Sequence, residues 1–342
     1  MARPSAFAFP LALAALAAWP TAARSEEIFP VVDLHVDLPW QVHLKGRSLA
    51  LDRGHATRKA LVAGGVVGVV LPIFLPANLH PDGPNEDDME AMARTIERIA
   101  WTPPFAPIAR ESGPAEAPPI RAWMSIEGAA ALAAEPSHVG AWVRRGVRLV
   151  GLAHTADNSL AGSSTGKRRG GLTDAGKALA RAALAEGALL DVSHLSDAAF
   201  DDVAALAKEQ ASPLVASHSD ARAVSDHPRN LTDAQLRAIA ESKGIVGLNL
   251  HAPYVAKDGT ADLAAVVAQL DHLVAIAGED HVAIGSDFDG GIKPPSGLES
   301  PARFPALARA LLARGWTAAR VRKIFAENAL RVLRWTTESP PR

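Results

Sequence analysis

Val31-Val32-Asp33-Leu34-His35-Val36-Asp37-Leu38 is the stretch that decides the fold. It opens as an apolar run of strand character and closes on a histidine and acids. His35 and Asp37 stand two apart, and residues two apart on a strand share a face. Seven further runs of the same character follow at 65–74, 121–127, 147–154, 188–194, 213–218, 244–251 and 281–287, separated by Ala-rich helical stretches. Eight such units predict an α/β fold closed into a (β/α)8 TIM-type barrel.

The ends of these runs carry the chemistry. They read Asp33-Leu34-His35-Val36-Asp37, Ser125-Ile126-Glu127, His154, Asp191-Val192-Ser193-His194, Ala216-Ser217-His218 and Gly285-Ser286-Asp287-Phe288-Asp289. Barrel strands converge at their C-terminal ends, where barrel active sites lie. A single histidine closing a strand is usually a hydrogen-bonded structural residue. Several histidines and acids at equivalent positions point to a site, because buried unpaired acids are costly. Imidazole nitrogen with carboxylate oxygen and no sulfur suits catalytic zinc, and less specifically cobalt, manganese or nickel. His35, Asp37 and Glu127 are candidate ligands of one ion. Glu127 has two oxygens and can bridge to a second, held by His194 and His218. Two Zn2+ per chain are expected, about 3.5–4 Å apart with a shared water.

The rest of the chain limits the alternatives. Its 342 residues hold 35 Lys+Arg against 37 Asp+Glu, enough for one barrel and without the excess positive charge expected for nucleic-acid binding. There is no cysteine, so structural disulfides are excluded. Residues 6–20 form an apolar run after Arg3, followed by small residues in Thr21-Ala22-Ala23 and Ala23-Arg24-Ser25. This predicts a signal peptide over 1–25, cleaved near Ser25, and a periplasmic or secreted domain over 26–342 with no stable membrane insertion. Residues 76–119, Pro-rich around one acidic helix at about 85–101, look like an insertion after the second strand. Thr232 with Gln235 predicts a capping box, Ser196 an N-cap, and Thr173 the start of a helix over 174–185. Outer helices are expected at 266–277 and 316–335.

The chain resembles the membrane (renal-type) dipeptidase family of zinc metallopeptidases, whose barrel is of the metallo-dependent hydrolase kind. The likeness rests on the strand-end motifs quoted above, on Leu152-Ala153-His154 with Asn158, on Ala216-Ser217-His218-Ser219, and on His227-Pro228-Arg229-Asn230-Leu231. It implies that His35, Asp37 and Glu127 bind one zinc, with Glu127 bridging to the zinc of His194 and His218. It further implies that His154 contacts the substrate near the scissile carbonyl, that Arg229 and Tyr254 receive the substrate carboxylate, and that Asp287 transfers the proton. Free dipeptides are the implied substrates and a homodimer the implied assembly. One departure stands near the C-terminus, where Glu327-Asn328 replaces the family's usual Gly-Asn pair; a local change of helix geometry is expected there.

Other features yield no site. Gly162 to Lys167 has one residue too few between its glycines for a phosphate loop, and Arg168 stands where Ser or Thr should bind magnesium. A barrel amidohydrolase acting on N-acyl amino acids is the nearest rival. Many of those enzymes use a carboxylated lysine on the fourth strand; residues 147–154 contain none. A catalytically inactive metal-binding homologue is the rival of another class, and the complete ligand set with Asp287 argues against it.

Overall fold

The structure is a computed structural model describing residues 28–106 and 120–338; the expected leader lies outside the described residues. Eight parallel strands form the sheet: β1 (Val31–Asp33), β2 (Val66–Phe74), β3 (Ile120–Glu127), β4 (Val147–Gly151), β5 (Leu189–Asp191), β6 (Val215–Ala216), β7 (Ile245–Leu248) and β8 (Val282–Ile284). Each pairs with the next in sequence, and Asp33 of β1 pairs with Ile284 of β8, so the sheet closes into the expected (β/α)8 barrel. A two-residue strand, Phe105–Ala106, adds to the start of β3.

The apolar interior accounts for the closure. Val32, Val70, Trp123, Leu149, Leu189, Val215, Ile245 and Ala283, one from each barrel strand, meet in one buried cluster. Ala326, Ala329, Val332 and Leu333 near the C-terminus pack against that cluster. Asn328 holds them there, its amide donating to the Glu279 and Val282 carbonyls at 2.8 and 2.9 Å, beside the start of β8. One end of the barrel is therefore closed by apolar packing, and the polar strand ends collect at the other.

The ladders stop earlier than the sequence runs suggest. The first run, expected over 31–38, ends as a strand at Asp33 and leaves only a bridge from Val36 to Phe288; a helix, Leu38–His43, follows at once with Pro39 in its first turn. Two aspartates explain the early endings. Asp33 Oδ1 accepts from the amides of His35 and Ser286, and Asp191 Oδ1 accepts from those of Ser193 and Ser217. Each carboxylate takes over bonds that a ladder would supply and frees the chain beyond it to turn.

The capping signals behave as expected. Thr232 and Gln235 close a reciprocal box, Ser196 accepts from Ala199, and Thr173 accepts from Gly176. The acidic helix inside 76–119 is Glu86–Ala100, whose buried Met89, Met92, Ile96 and Ile99 face the core. It lies in the chain between β2 and β3. The helix expected over 316–335 is broken: Ala318–Arg322 leads into a π-helical turn, Lys323–Glu327, and then Asn328–Glu338. The π turn ends at Glu327, and Asn328 opens the helix that follows, with its side chain on the Glu279 and Val282 carbonyls. Among the described residues, no helix is long and apolar enough to cross a membrane.

Candidate metal centre

Glu127 closes β3 and stands at the middle of the polar end. Its Oε2 lies 3.5 Å from His35 Nε2, and that nitrogen is 3.3 Å from Asp37 Oδ2. Its Oε1 lies 3.0 Å from His194 Nε2 and 3.5 Å from His218 Nε2. The two oxygens of one carboxylate thus face two sets of donors. His194 Nε2 and His218 Nε2 approach to 2.9 Å, lone-pair atoms converging on one point. Both nitrogens of His35 and Nδ1 of His194 are buried without a hydrogen-bond partner. A buried, unsatisfied N/O donor set of this kind fits divalent cations, which satisfy it by coordination.

Proximity also cuts across the two expected sets. Donor atoms lie within 4.8 Å of one another in His35/Glu127/His218, in Glu127/His154/His194 and in His35/Asp37/Asp287. All seven sequence-predicted residues of the rim are therefore brought together. His194 and Asp287 adopt left-handed backbone, with φ +69° and +63°. Such strain in non-glycine residues clusters at functional sites.

The electrostatics suit ligation. Burial pulls the His194 and His218 imidazoles well below their ordinary range, helped by the Arg229 charge and neighbouring histidines, and so keeps them neutral. Burial opposes ionisation of Glu127, but the charges of His35 and His154 outweigh it and hold that carboxyl well down. Burial pushes Asp37 up, against the pull of His35. His35 has the reverse balance: burial is outweighed by the Glu127 and Asp37 charges, and it is held well above the usual histidine range. A bound dication replaces that proton. Asp287 is pushed well up by burial and then by the Asp37 charge.

Hydrogen bonds behind the rim orient these donors. Ser217 Oγ donates to Asp191 Oδ2, so its oxygen accepts from His218 Nδ1 at 2.8 Å and leaves His218 Nε2 bare towards Glu127. Asn158 pins the loop that carries His154, donating to the Leu152 carbonyl at 2.8 Å and accepting from the Leu160 and Ala161 amides. His154 itself faces the cleft, partly exposed, and burial lowers its pKa. Its Nδ1 lies 3.3 Å from Thr155 Oγ1, which can donate to it and leave Nε2–H free.

The cleft above has a volume of about 330 Å³ and is lined by Asp37, Trp40, Phe74, His154, Tyr254 and Asp287, among others. A wider groove of about 720 Å³ lies beside helix Leu263–Ala277, but no histidine lines it. Tyr254 lies between His227 and His251, tilted against the first and edge-on to the second, with ring centroids 4.6 and 4.5 Å away. Arg229 does not line the cleft. Its guanidinium is buried behind it, with Nη1 on Ser219 Oγ and Nη2 on the His218 carbonyl, both at 2.9 Å, and Nε without a partner. His227 Nδ1 accepts from the Arg229 amide at 3.1 Å.

One residue of the rim, and the partners of another, were missed in the sequence. Asn249, just after β7, donates to Asp287 Oδ2 at 3.1 Å. Its place beyond a strand end was the available signal, but an amide there attracts less notice than a histidine. Asp289 ties down the loop after the first helix, bonding Arg47 and the amides of His55 and Ala56. No sequence spacing links residues so far apart. The glycine-rich loop is solvated from Thr165 onward and pinned by Asp157, as befits a surface turn.

Residues 21–340 match the family model described as membrane dipeptidase (peptidase family M19). The chain belongs to this family. It is a metallo-dipeptidase, as the solved relatives also indicate. A metallo peptidase from Rhodobacter sphaeroides, solved with a phosphinate mimic of the dipeptide L-Ala-D-Ala, is 28% identical with a TM-score of 0.79, over 91% of this chain and all of that one. The dipeptidase AC of family M19 is 29% identical with a TM-score of 0.80, over 92% of this chain and all of that one. An uncharacterized protein from the pqqA 5' region of Klebsiella pneumoniae is 41% identical over 219 residues, which is 61% of this chain and 79% of that protein.

Proposed function

We propose that this enzyme is a binuclear zinc dipeptidase that hydrolyses free dipeptides. The observation that carries the proposal is Glu127, whose Oε2 faces His35 and whose Oε1 faces His194 and His218. His35, Asp37 and Glu127 would hold one ion, and Glu127, His194 and His218 the other. When bound, the ions supply Lewis acidity at the scissile carbonyl and lower the pKa of the attacking water. Asp287 takes the water's proton and returns it to the leaving amine. Burial and the Asp37 charge raise its affinity for a proton, which favours taking it from the water. His154 Nε2–H donates to the carbonyl oxygen as negative charge develops.

The substrate carboxylate lies against Tyr254, with the Arg229 guanidinium behind the cleft wall as its counter-charge. Tyr254 lines the cleft, and Arg229 keeps donors uncommitted behind it. The test is hydrolysis by zinc-loaded protein of L,L and L,D dipeptides, their C-terminal amides, tripeptides and N-acyl amino acids. Leaving the guanidinium without its carboxylate costs on the order of 2–4 kcal/mol, about 30- to 1,000-fold in kcat/KM. Free dipeptides are expected to turn over well and amides poorly, and Arg229→Ala to lose the free dipeptides. Equal rates on both, or preference for N-acyl amino acids, would overturn the proposal. Export rests on the leader at 1–25; mature protein is expected to begin within a few residues of Glu26, and soluble protein retaining Met1 contradicts it.

A further inference from the structure

We infer that Asn249 is a positioning residue that selects which oxygen of Asp287 carries the proton; the inference rests on Asp287 being the proton carrier. Asn249 is fully buried, one residue beyond β7, between the active-site carboxylate and the segment that leads to Tyr254. The His251 amide points at one end of its side chain, 2.5 Å from Oδ1. A backbone N–H can only donate, so that end must be the amide oxygen. The NH2 group is thereby turned towards Asp287 and meets Oδ2 at 3.1 Å.

Asp287 Oδ2 is therefore occupied by a donor that cannot take a proton. The other oxygen looks elsewhere. A Cβ built on Gly290 would lie 2.3 Å from Asp287 Oδ1 and 2.6 Å from Asp37 Oδ2, so these two oxygens face the same small space above Gly290. Oδ1 is on the side of the metal ligands, and Oδ2 is on the side of Asn249. Asp287 also sits in left-handed backbone, held by its amide on the His35 carbonyl and its carbonyl on the Gly290 amide, and these bonds leave the side-chain torsion free. The Asn249 amide restrains the carboxyl plane. Of the two oxygens, Oδ1 is the one that reaches the attacking water and the leaving amine.

The same side chain touches two functions, and that separates this role from a structural one. Through Nδ2 it orients Asp287, which affects the chemical step. Through Oδ1 it holds the His251 amide, two residues from the backbone turn that presents Tyr254, which affects binding. Orientation of the proton carrier predicts a loss in kcat with KM little changed. Displacement of the Tyr254 segment predicts a rise in KM.

The experiment is a double-mutant cycle on zinc-loaded enzyme with a free dipeptide, using Asn249→Ala, Asp287→Asn and the double variant. Metal content and thermal midpoint are recorded for each. Asn249→Ala is expected to lower kcat about 10- to 100-fold, the scale of misplacing a catalytic group by about 1 Å, with a smaller rise in KM from the lost His251 bond. In the Asp287→Asn background the same substitution is expected to cost nothing further. An equal loss in both backgrounds, a rise in KM with kcat intact, or wild-type kinetics would each overturn the inference. Full activity of Asp287→Asn alone would overturn the Asp287 assignment and the inference with it. Asn249→Leu keeps the side-chain volume and loses the donor without adding a charge, so it is expected to reproduce the kcat loss should the alanine variant fail to fold.

Discussion

Glu127 Oε1 lies 3.0 Å from His194 Nε2, while the other oxygen of the same carboxylate turns away towards His35. The pair fixes the geometry of the whole centre. A carboxylate split in this way offers one oxygen to each of two ions, whereas a histidine nitrogen offers itself to one.

Two metal ions per chain are expected in fully loaded protein. Glu127→Ala is expected to deplete both, and His194→Ala mainly one. Elemental analysis of the purified variants measures this directly, and a stoichiometry of one in the wild type contradicts the binuclear centre.

Ser217→Ala removes the hydroxyl between Asp191 and His218 Nδ1 without removing the Asp191 bonds to the Ser193 and Ser217 amides. The barrel is expected to stay folded. Affinity for the ion held by His218 is expected to fall about 10- to 100-fold, the usual effect of losing a partner behind a metal ligand. Titration against a competing chelator gives the affinity; an unchanged value rules the relay out.

Asp287→Asn preserves the shape of the side chain and removes the proton acceptor. kcat is expected to fall about 10²–10⁴-fold with metal content nearly intact. Loss of metal together with activity would make Asp287 a ligand alongside His35 and Asp37 instead.

Asn328→Ala acts far from the chemistry. It strips donors from the Glu279 and Val282 carbonyls and is expected to cost about 1–3 kcal/mol of stability. Urea denaturation measures the loss, and kcat and KM are expected to be unchanged. A kinetic effect as large as the stability effect would mean that this end of the barrel communicates with the cleft.

The fold and most of the site could be read in the chain because both depend on short-range pattern. Strand character recurs with Ala-rich stretches between, and a His or acid closes run after run at His35, Glu127, His154, His194, His218 and Asp287. Parallel closure brings such ends to one rim whatever the details of the loops. Strand limits were less legible. Asp33 and Asp191 end their ladders by accepting amides from neighbouring strands, and a local pattern cannot show a bond across the barrel.

What the sequence determined by itself was the barrel, the family, and the residue types that converge at its rim. The tertiary structure alone decided which oxygen faces which partner. It set Glu127 between His35 and His194, put Arg229 behind the cleft wall rather than on it, and joined Asn249 to Asp287 across 38 residues. The physical reason is range. Periodicity and caps are encoded within a few residues, whereas the direction of a side-chain donor depends on strands that meet only when the barrel closes.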